Sequence, residues 1–320
     1  ESQKYEKPVH PKVGGGLRYC LSLEEMLDTC HNCRMLEFLK NRRQPAQGTV
    51  KSEVRELHLR NKRFYVNGRH FPQWWNSVAE GKWEPETFLV PESFIEPGST
   101  YIDVGAWIGA TVLFAADQAG STIVFEPDPF VLPLLKENIA LNPCIASRIM
   151  LYEAALSTFD GKAALFNNRP GNSGSSLLKT FGYTKEVVQK QFAETVVMDA
   201  YHFLDRLDLA NVSLIKIDIE GGEYDLIPHI APLLMRHRPT LYLSLHPFNI
   251  ASDLPQIEKA AQTVARTTRL LESLLCYRHV YLPARGNIEV SPSGVPGLLE
   301  KAYRTGTLSG SIIVSDRLVP

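Results

Sequence analysis

Ten residues, Thr100–Gly109 (TYIDVGAWIG), constrain the fold of this chain more than any others. Tyr101–Val104 is a short run of strand type that includes a carboxylate. It leads into Gly105-Ala106-Trp107-Ile108-Gly109 and then into the apolar run Ala110–Ala119. A strand, a glycine turn and a helix in that order form the first half of a nucleotide-binding α/β unit. Glycine lets the backbone turn tightly and approach a ligand, and the helix N-terminus offers unpaired N–H groups. The spacing narrows the ligand. A dinucleotide site uses G-x-G-x-x-G, but Trp107 stands where the second glycine would be. Its bulk would keep a pyrophosphate off the backbone.

The next strand, Ser121–Phe125, ends at Glu126. An acidic residue ~20 positions after the glycine turn is placed to accept from a ribose hydroxyl pair. Glu126-Pro127-Asp128-Pro129 then opens a helix, since proline is tolerated in a first turn. A second acidic stretch, Ser213–Glu223 (SLIKIDIEGGE), reads as a buried strand ending at Asp218, followed by Glu220, a glycine pair and Glu223. In open parallel sheets, ligands gather outside the carboxyl ends of the strands. Asp103, Glu126, Glu153, Asp218 and His246 all fall at such ends. Strand-end carboxylates also cap helices. That role suits Glu223 as well as a functional one does, whereas Asp218 sits beside the glycine turn and reads as functional.

The 320 residues suffice for one large domain or two smaller ones. A net charge of −1 gives no basic surface for nucleic acid, and no apolar run is long enough to span a bilayer. The five scattered cysteines argue against a disulfide framework and for a reducing, cytoplasmic setting. Cys30-His31-Asn32-Cys33 has no second C-x-x-C to complete a zinc site. The chain begins at Glu1, without Met, as a processed product does.

Residues 1–16 read as a loose leader. Residues 17–78 read as an appendage: a helix over Ser22–Leu39, then a β-hairpin with a turn signal at Asn67-Gly68. Trp74, Trp75 and Trp83 read mainly as packing between this appendage and the main domain, residues 79–320. Strands are expected at 100–104, 121–125, 148–154, 213–218, 240–246, 277–282 and 309–315. Helices are expected over 130–142 and 254–272. The segment 160–197 exceeds one crossover. It holds a short strand at 163–166, a glycine/serine loop at 171–176 and a helix near 183–192.

D-x-G-x-x-x-G resembles the first motif of class I S-adenosylmethionine-dependent methyltransferases. DVGAWIGATV, FEPDP with KENIALNP, NSGSSLL and LIKIDIEGGEYDLIP together resemble the FkbM family of those enzymes, as does WEPETF before the first strand. The likeness covers about residues 80–250. It implies an α/β Rossmann-like fold with a seven-stranded, mostly parallel sheet that includes one antiparallel strand. It implies S-adenosylmethionine as cofactor, and a hydroxyl of a sugar, glycan or secondary metabolite as acceptor. Carried over by position, Asp103, Gly105, Ala106 and Gly109 hold the methionine end, with Glu86 and Thr87 nearby. Glu126 holds the ribose, Glu153 and Ala154 lie near the adenine, and Asp128 is a further cofactor-binding candidate. Trp107 departs from the Asn common at this position in the family and is read as a wall of the methyl pocket. Asp218 sits under the reacting centre, and Glu220 is a further catalytic candidate. Methyl transfer to a hydroxyl needs a base, and His246 at its strand end is suited to that role. No metal is expected, because Asp218, Glu220 and Glu223 are too few for a hard-cation site. A protein or small-molecule amine acceptor is the competing reading, since a neutral amine needs no base. A nicotinamide dehydrogenase is opposed by the missing middle glycine.

Overall fold

The computed structural model describes residues 53–179, 190–249, 256–283, 288–294 and 310–318. The expected leader, the helix at 22–39 and the Cys30/Cys33 pair lie outside these residues. Val50 onwards forms one compact unit.

The described chain begins with a hairpin, β1 (Val54–Leu59) and β2 (Lys62–Asn67). Two helices follow, α1 (Pro72–Ala79) and α2 (Glu86–Phe94). Next come β3 (Thr100–Val104), α3 (Ala110–Ala116), β4 (Ser121–Phe125), α4 (Leu132–Ala140), the short α5 (Pro143–Ala146) and β5 (Ile149–Tyr152). A side sheet is made by β6 (Ala155–Ser157), β7 (Gly161–Asn167) and β8 (Lys190–Asp199) in the order β6-β8-β7. The chain continues through α6 (Ala200–Leu204), β9 (Val212–Ile217), α7 (Glu223–His237), β10 (Thr240–Ser244), α8 (Gln256–Glu272), β11 (His279–Leu282), β12 (Ile288–Glu289) and β13 (Ser311–Ser315).

The main sheet runs β12-β11-β13-β10-β9-β3-β4-β5. Strands β5, β4, β3, β9 and β10 are parallel, and β13 is antiparallel to both β10 and β11. The expected seven strands with one reversed are therefore present. The reversed strand lies one place in from β11, and the two-residue β12 adds an eighth. Alternation along the strands divides the core. Ile102, Val104, Ile215, Ile217, Leu241 and Leu243 pack against α6, α7 and α8. Tyr101, Leu214 and Tyr242 pack against Val90 and Phe94 of α2 and Ala115 of α3. Side chains two apart share a face, so a strand buried on both faces reads as a continuous apolar run.

Three expectations are corrected. The span 148–154 is broken between β5 and β6. The end of the helix expected near 183–192 falls on β8, because 190–192 are extended and pair with β7; residues 183–189 lie outside the described chain. The hairpin turn is Arg60-Asn61, with Leu59 facing Lys62, and not Asn67-Gly68. Arg60 takes the left-handed conformation, φ 55°. Gly68 closes the open end, donating its N–H to the Glu53 carbonyl at 2.8 Å.

The hairpin shares a core with the sheet domain: Leu57, Phe64, Val66 and Trp75 pack with Leu113 and Phe114. Two asparagines of the α4 region bind its outer strand. Asn142 accepts from the Tyr65 N–H and donates to the Tyr65 carbonyl. Buried Asn138 accepts from the Asn67 N–H and donates to the Ile108 carbonyl, both at 2.8 Å. Replacing Asn138 by Leu leaves two buried backbone groups unpaired. We expect Asn138→Leu to cost roughly 2–4 kcal/mol, read as a lower urea midpoint with an unchanged m-value.

Candidate active site

At the carboxyl ends of β3 and β9 a lysine joins two acidic turns. Asp103 is fully buried. Its Oδ2 accepts from the Tyr101 hydroxyl at 2.9 Å and the Thr111 hydroxyl at 2.6 Å. Lys216 Nζ lies 3.4 Å from Asp103 Oδ1, 3.3 Å from the Gly105 carbonyl and 3.4 Å from Asp218 Oδ2. Burial alone would lower the lysine pKa. The charges of Asp103 and Asp218 outweigh it and hold the ammonium above its ordinary value. The β3 and β9 turns are thus fixed to each other.

The glycine turn follows from this contact. Gly105 has φ 87°, and a Cβ there would run into the Asp218 carbonyl oxygen. Trp107 is left-handed too, φ 48°, which aims its N–H at Glu126 Oε2, 2.7 Å away. The Asp128 N–H bonds the other oxygen, Oε1, at 2.9 Å. Glu126 is buried at the end of β4, and burial pushes its carboxyl up to about 7 although both of those hydrogen bonds oppose the shift. Asp128 secures the next loop: its Oδ2 accepts from the Ser175 hydroxyl at 2.7 Å. The Trp107 indole N–H donates to the Gly171 carbonyl at 3.0 Å.

At the ends of β9 and β10 lies a four-residue charge cluster. Glu223 Oε1 accepts from the His246 backbone N–H at 2.7 Å and lies 3.2 Å from His246 Nδ1. Its Oε2 accepts from the Gly221 N–H. His246 Nε2 is 3.5 Å from Asp218 Oδ1 and 3.7 Å from Glu220 Oε1. Asn249 Nδ2 donates to Glu220 Oε2 at 3.0 Å. Burial disfavours an imidazolium here, but Glu220, Glu223 and Asp218 together push His246 up to about 10. The same burial raises the Glu220 carboxyl.

These groups surround a cavity of about 370 Å³. Gly105, Ala106, Trp107, Glu126 and Ala154 line it, as do Asp218, Glu220 and His246. Other expected site residues lie off its wall. Asp103 points into the Lys216 contact, and Asp128 holds the 171–175 loop. Glu153 pairs with Lys136 at 2.7 Å on the surface. Thr87 bonds the Tyr242 hydroxyl at 3.0 Å. Gly109 caps α3, where φ 92° and the contact with Leu135 exclude a Cβ. Glu84, not Glu86, reaches the cavity. Trp74 and Trp83 line it with Trp107 as a continuous aromatic wall, with ring centroids 4.7 Å apart for Trp74–Trp107 and 4.9 Å for Trp74–Trp83. Lys216 is hard to single out in the sequence; its one signal there is a charge inside the apolar run Leu214–Ile217. Among the described residues, no group of three or more His, Cys, Asp or Glu could hold a metal ion, and no helix is long and apolar enough to cross a membrane.

A raised histidine pKa stabilises the native state fully below the unfolded value, ~6.5, and loses that effect as pH rises through about 10. The stability difference between the wild-type chain and His246→Gln should therefore shrink between pH 6.5 and 10 in urea titrations. A constant difference would mean that the ring is neutral throughout.

The FkbM methyltransferase domain model matches residues 103–267, more than half of the chain. No curated protein matches. Among solved structures, methyltransferase FkbM from Methylobacillus flagellatus KT is 18% identical, with 53% of this chain and 41% of that chain covered and a TM-score of 0.33. This chain therefore spans less than half the length of that protein. A SAM-dependent methyltransferase from Agrobacterium tumefaciens is 12% identical, with coverages of 72% and 61% and a TM-score of 0.34. A precorrin-6y C5,15-methyltransferase from Geobacter metallireducens GS-15 is 13% identical, with coverages of 56% and 68% and a TM-score of 0.29. The chain belongs to the FkbM family of S-adenosylmethionine-dependent methyltransferases.

Proposed function

We propose that the protein methylates a hydroxyl group of a sugar, a glycan or a secondary metabolite. The observation that carries this reading is the pairing, in one cavity, of Glu126 at one end with the Asp218–His246–Glu220 cluster at the other. The residues present fit the cofactor. Each Glu126 oxygen accepts a single backbone N–H, and a carboxylate can accept about four hydrogen bonds. Capacity therefore remains for two ribose hydroxyls. Gly105 and Ala106 offer bare backbone for the methionine part, and Ala154 a small apolar surface for the adenine. Bound there, S-adenosylmethionine supplies an electrophilic sulfonium methyl group.

The protein's part is positioning and proton removal. The position of His246 suited a base, but its surroundings favour another role. Three neighbouring carboxylates raise the ring's pKa, which suits it poorly to accept a proton at neutral pH. It instead holds three carboxylates in place. Asp218 is the cluster member most open to the cavity, its side chain 31% exposed against 8% for Glu220 and 12% for His246. Asp218 therefore takes the hydroxyl proton, oriented by Lys216 on one side and His246 on the other. The acidic lining would also suit an amine acceptor. A protonated amine is drawn to such a wall, but it must lose a proton before it can react.

Two measurements test this reading. S-adenosylhomocysteine should raise the melting point and NAD should leave it unchanged, because a ligand of the native state stabilises by about 2.7 kcal/mol at a hundred times its Kd. With a panel of glycosides, polyols and amines, labelled methyl groups should be found on oxygen, and Asp218→Asn should cost 10²- to 10⁴-fold in kcat, roughly the range for a proton-transfer residue. Methyl groups found on nitrogen would contradict the hydroxyl assignment.

A further inference from the structure

The cavity is lined by two carboxyl groups that the roles above leave unused, Glu84 and Asp225. Among the carboxyls lining it, Glu126 is bonded by two backbone N–H groups, Asp218 is paired with Lys216 and His246, and Glu220 with Asn249 and His246. Asp225 is paired with Arg266 at 2.6 Å. Among the described residues, the Glu84 carboxyl has only the Thr87 hydroxyl, 3.3 Å from Oε2. No lysine or arginine among the described residues lies within ion-pair distance of it. Lys216 is the nearby cation, and its three N–H groups are directed at Asp103, Gly105 and Asp218.

Glu84 is also held in a backbone conformation that costs energy. Its φ is 34°, unusual for a residue with a side chain. Trp83 on one side packs edge-on against Trp74 and Phe88. On the other side the Glu84 carbonyl accepts from the Thr87 N–H at 2.9 Å, opening α2. The strained residue is thus fixed between an aromatic wall and a helix start, with its carboxylate toward the cavity.

The strand order says which part of a ligand it would meet. Glu126 stands at β4, the Gly105 turn at β3, and Asp218 and Lys216 at β9, with β3 between the other two. The Thr87 hydroxyl that bonds Glu84 also meets the Tyr242 hydroxyl on β10, the neighbour of β9, which places Glu84 on the β9 side. A cofactor whose ribose rests on Glu126 extends its amino-acid tail across Gly105 toward that side.

We propose, resting on the cofactor placement above, that Glu84 binds the α-ammonium group of S-adenosylmethionine, as a residue outside the segment matched by the family model. Charge agrees. Glu84 and Asp218 put carboxyl groups at this end of the cavity, and the cofactor's sulfonium and ammonium groups are both positive. Burial and the Asp218 charge push free Glu84 up to about 7. A bound cation would restore its ionised form, so binding near pH 7 expels a proton. Glu126 titrates in the same range and calls for a variant that isolates Glu84.

The test is calorimetric titration of wild type and Glu84→Gln with two ligands. One is S-adenosylhomocysteine. The other is 5′-methylthioadenosine, which keeps the nucleoside but lacks the amino-acid tail. We expect Glu84→Gln to bind S-adenosylhomocysteine roughly tenfold more weakly, the loss of one charge-assisted hydrogen bond, and to bind 5′-methylthioadenosine as wild type does. Titrations in buffers of different ionisation enthalpy should show proton release with S-adenosylhomocysteine at pH 7 in wild type and less in the variant. Equal losses for both ligands, or an unchanged S-adenosylhomocysteine affinity, would overturn the assignment while leaving the cofactor site standing. A wild-type protein that binds neither ligand would overturn both.

Discussion

The buried ammonium of Lys216 is the contact on which the site depends. It ties the acidic end of β3 to the acidic end of β9 and caps the carbonyl of the glycine between them. A carboxylate as deeply buried as Asp103 is costly unless paired, and removing its partner would leave an uncompensated charge in the core. Tyr101 and Thr111 complete its coordination, so the first strand, the helix after the turn and the fourth parallel strand meet at one atom group. The Gly105 turn can then pass so close to Asp218 that no side chain fits. The cavity floor is therefore set by electrostatics between strands and not by the turn sequence alone.

A second charge cluster shapes the opposite wall. Glu223 is bonded to the His246 backbone N–H and to its ring Nδ1, and Glu220 and Asp218 face Nε2 at the ring's outer edge. Three carboxylates around the ring favour its imidazolium form over the opposing effect of burial. The aromatic wall adds the third side. It exists because the hairpin and α1 share a core with α3, which brings Trp74 and Trp83 beside Trp107.

The architecture was legible wherever a local pattern carried it. Tyr101–Val104 before two glycines reads as a strand and turn because apolar runs and glycine are short-range signals. The acids at 126 and 218 read as strand ends for the same reason. Long-range pairing was not visible. Lys216 lies 113 residues from the aspartate it neutralises, and nothing in LIKID announces that partner. The protonation of His246 depends on Glu220 and Glu223 across a turn, so its place was evident and its charge was not. Register decided between Glu84 and Glu86: both sit in WEPET, but the helix begins at Glu86, leaving Glu84 in the strained turn that faces the cavity. Strand β8 was obscured because only part of it alternates, and its pairing with β7 is what keeps it extended.

A crystal structure with S-adenosylhomocysteine tests the central claim most directly. The account predicts both ribose hydroxyls within hydrogen-bond distance of Glu126 and the amino-acid tail lying over Gly105 on the Lys216 side. A ligand bound elsewhere, or reversed so that its adenine lies at Asp218, would contradict it.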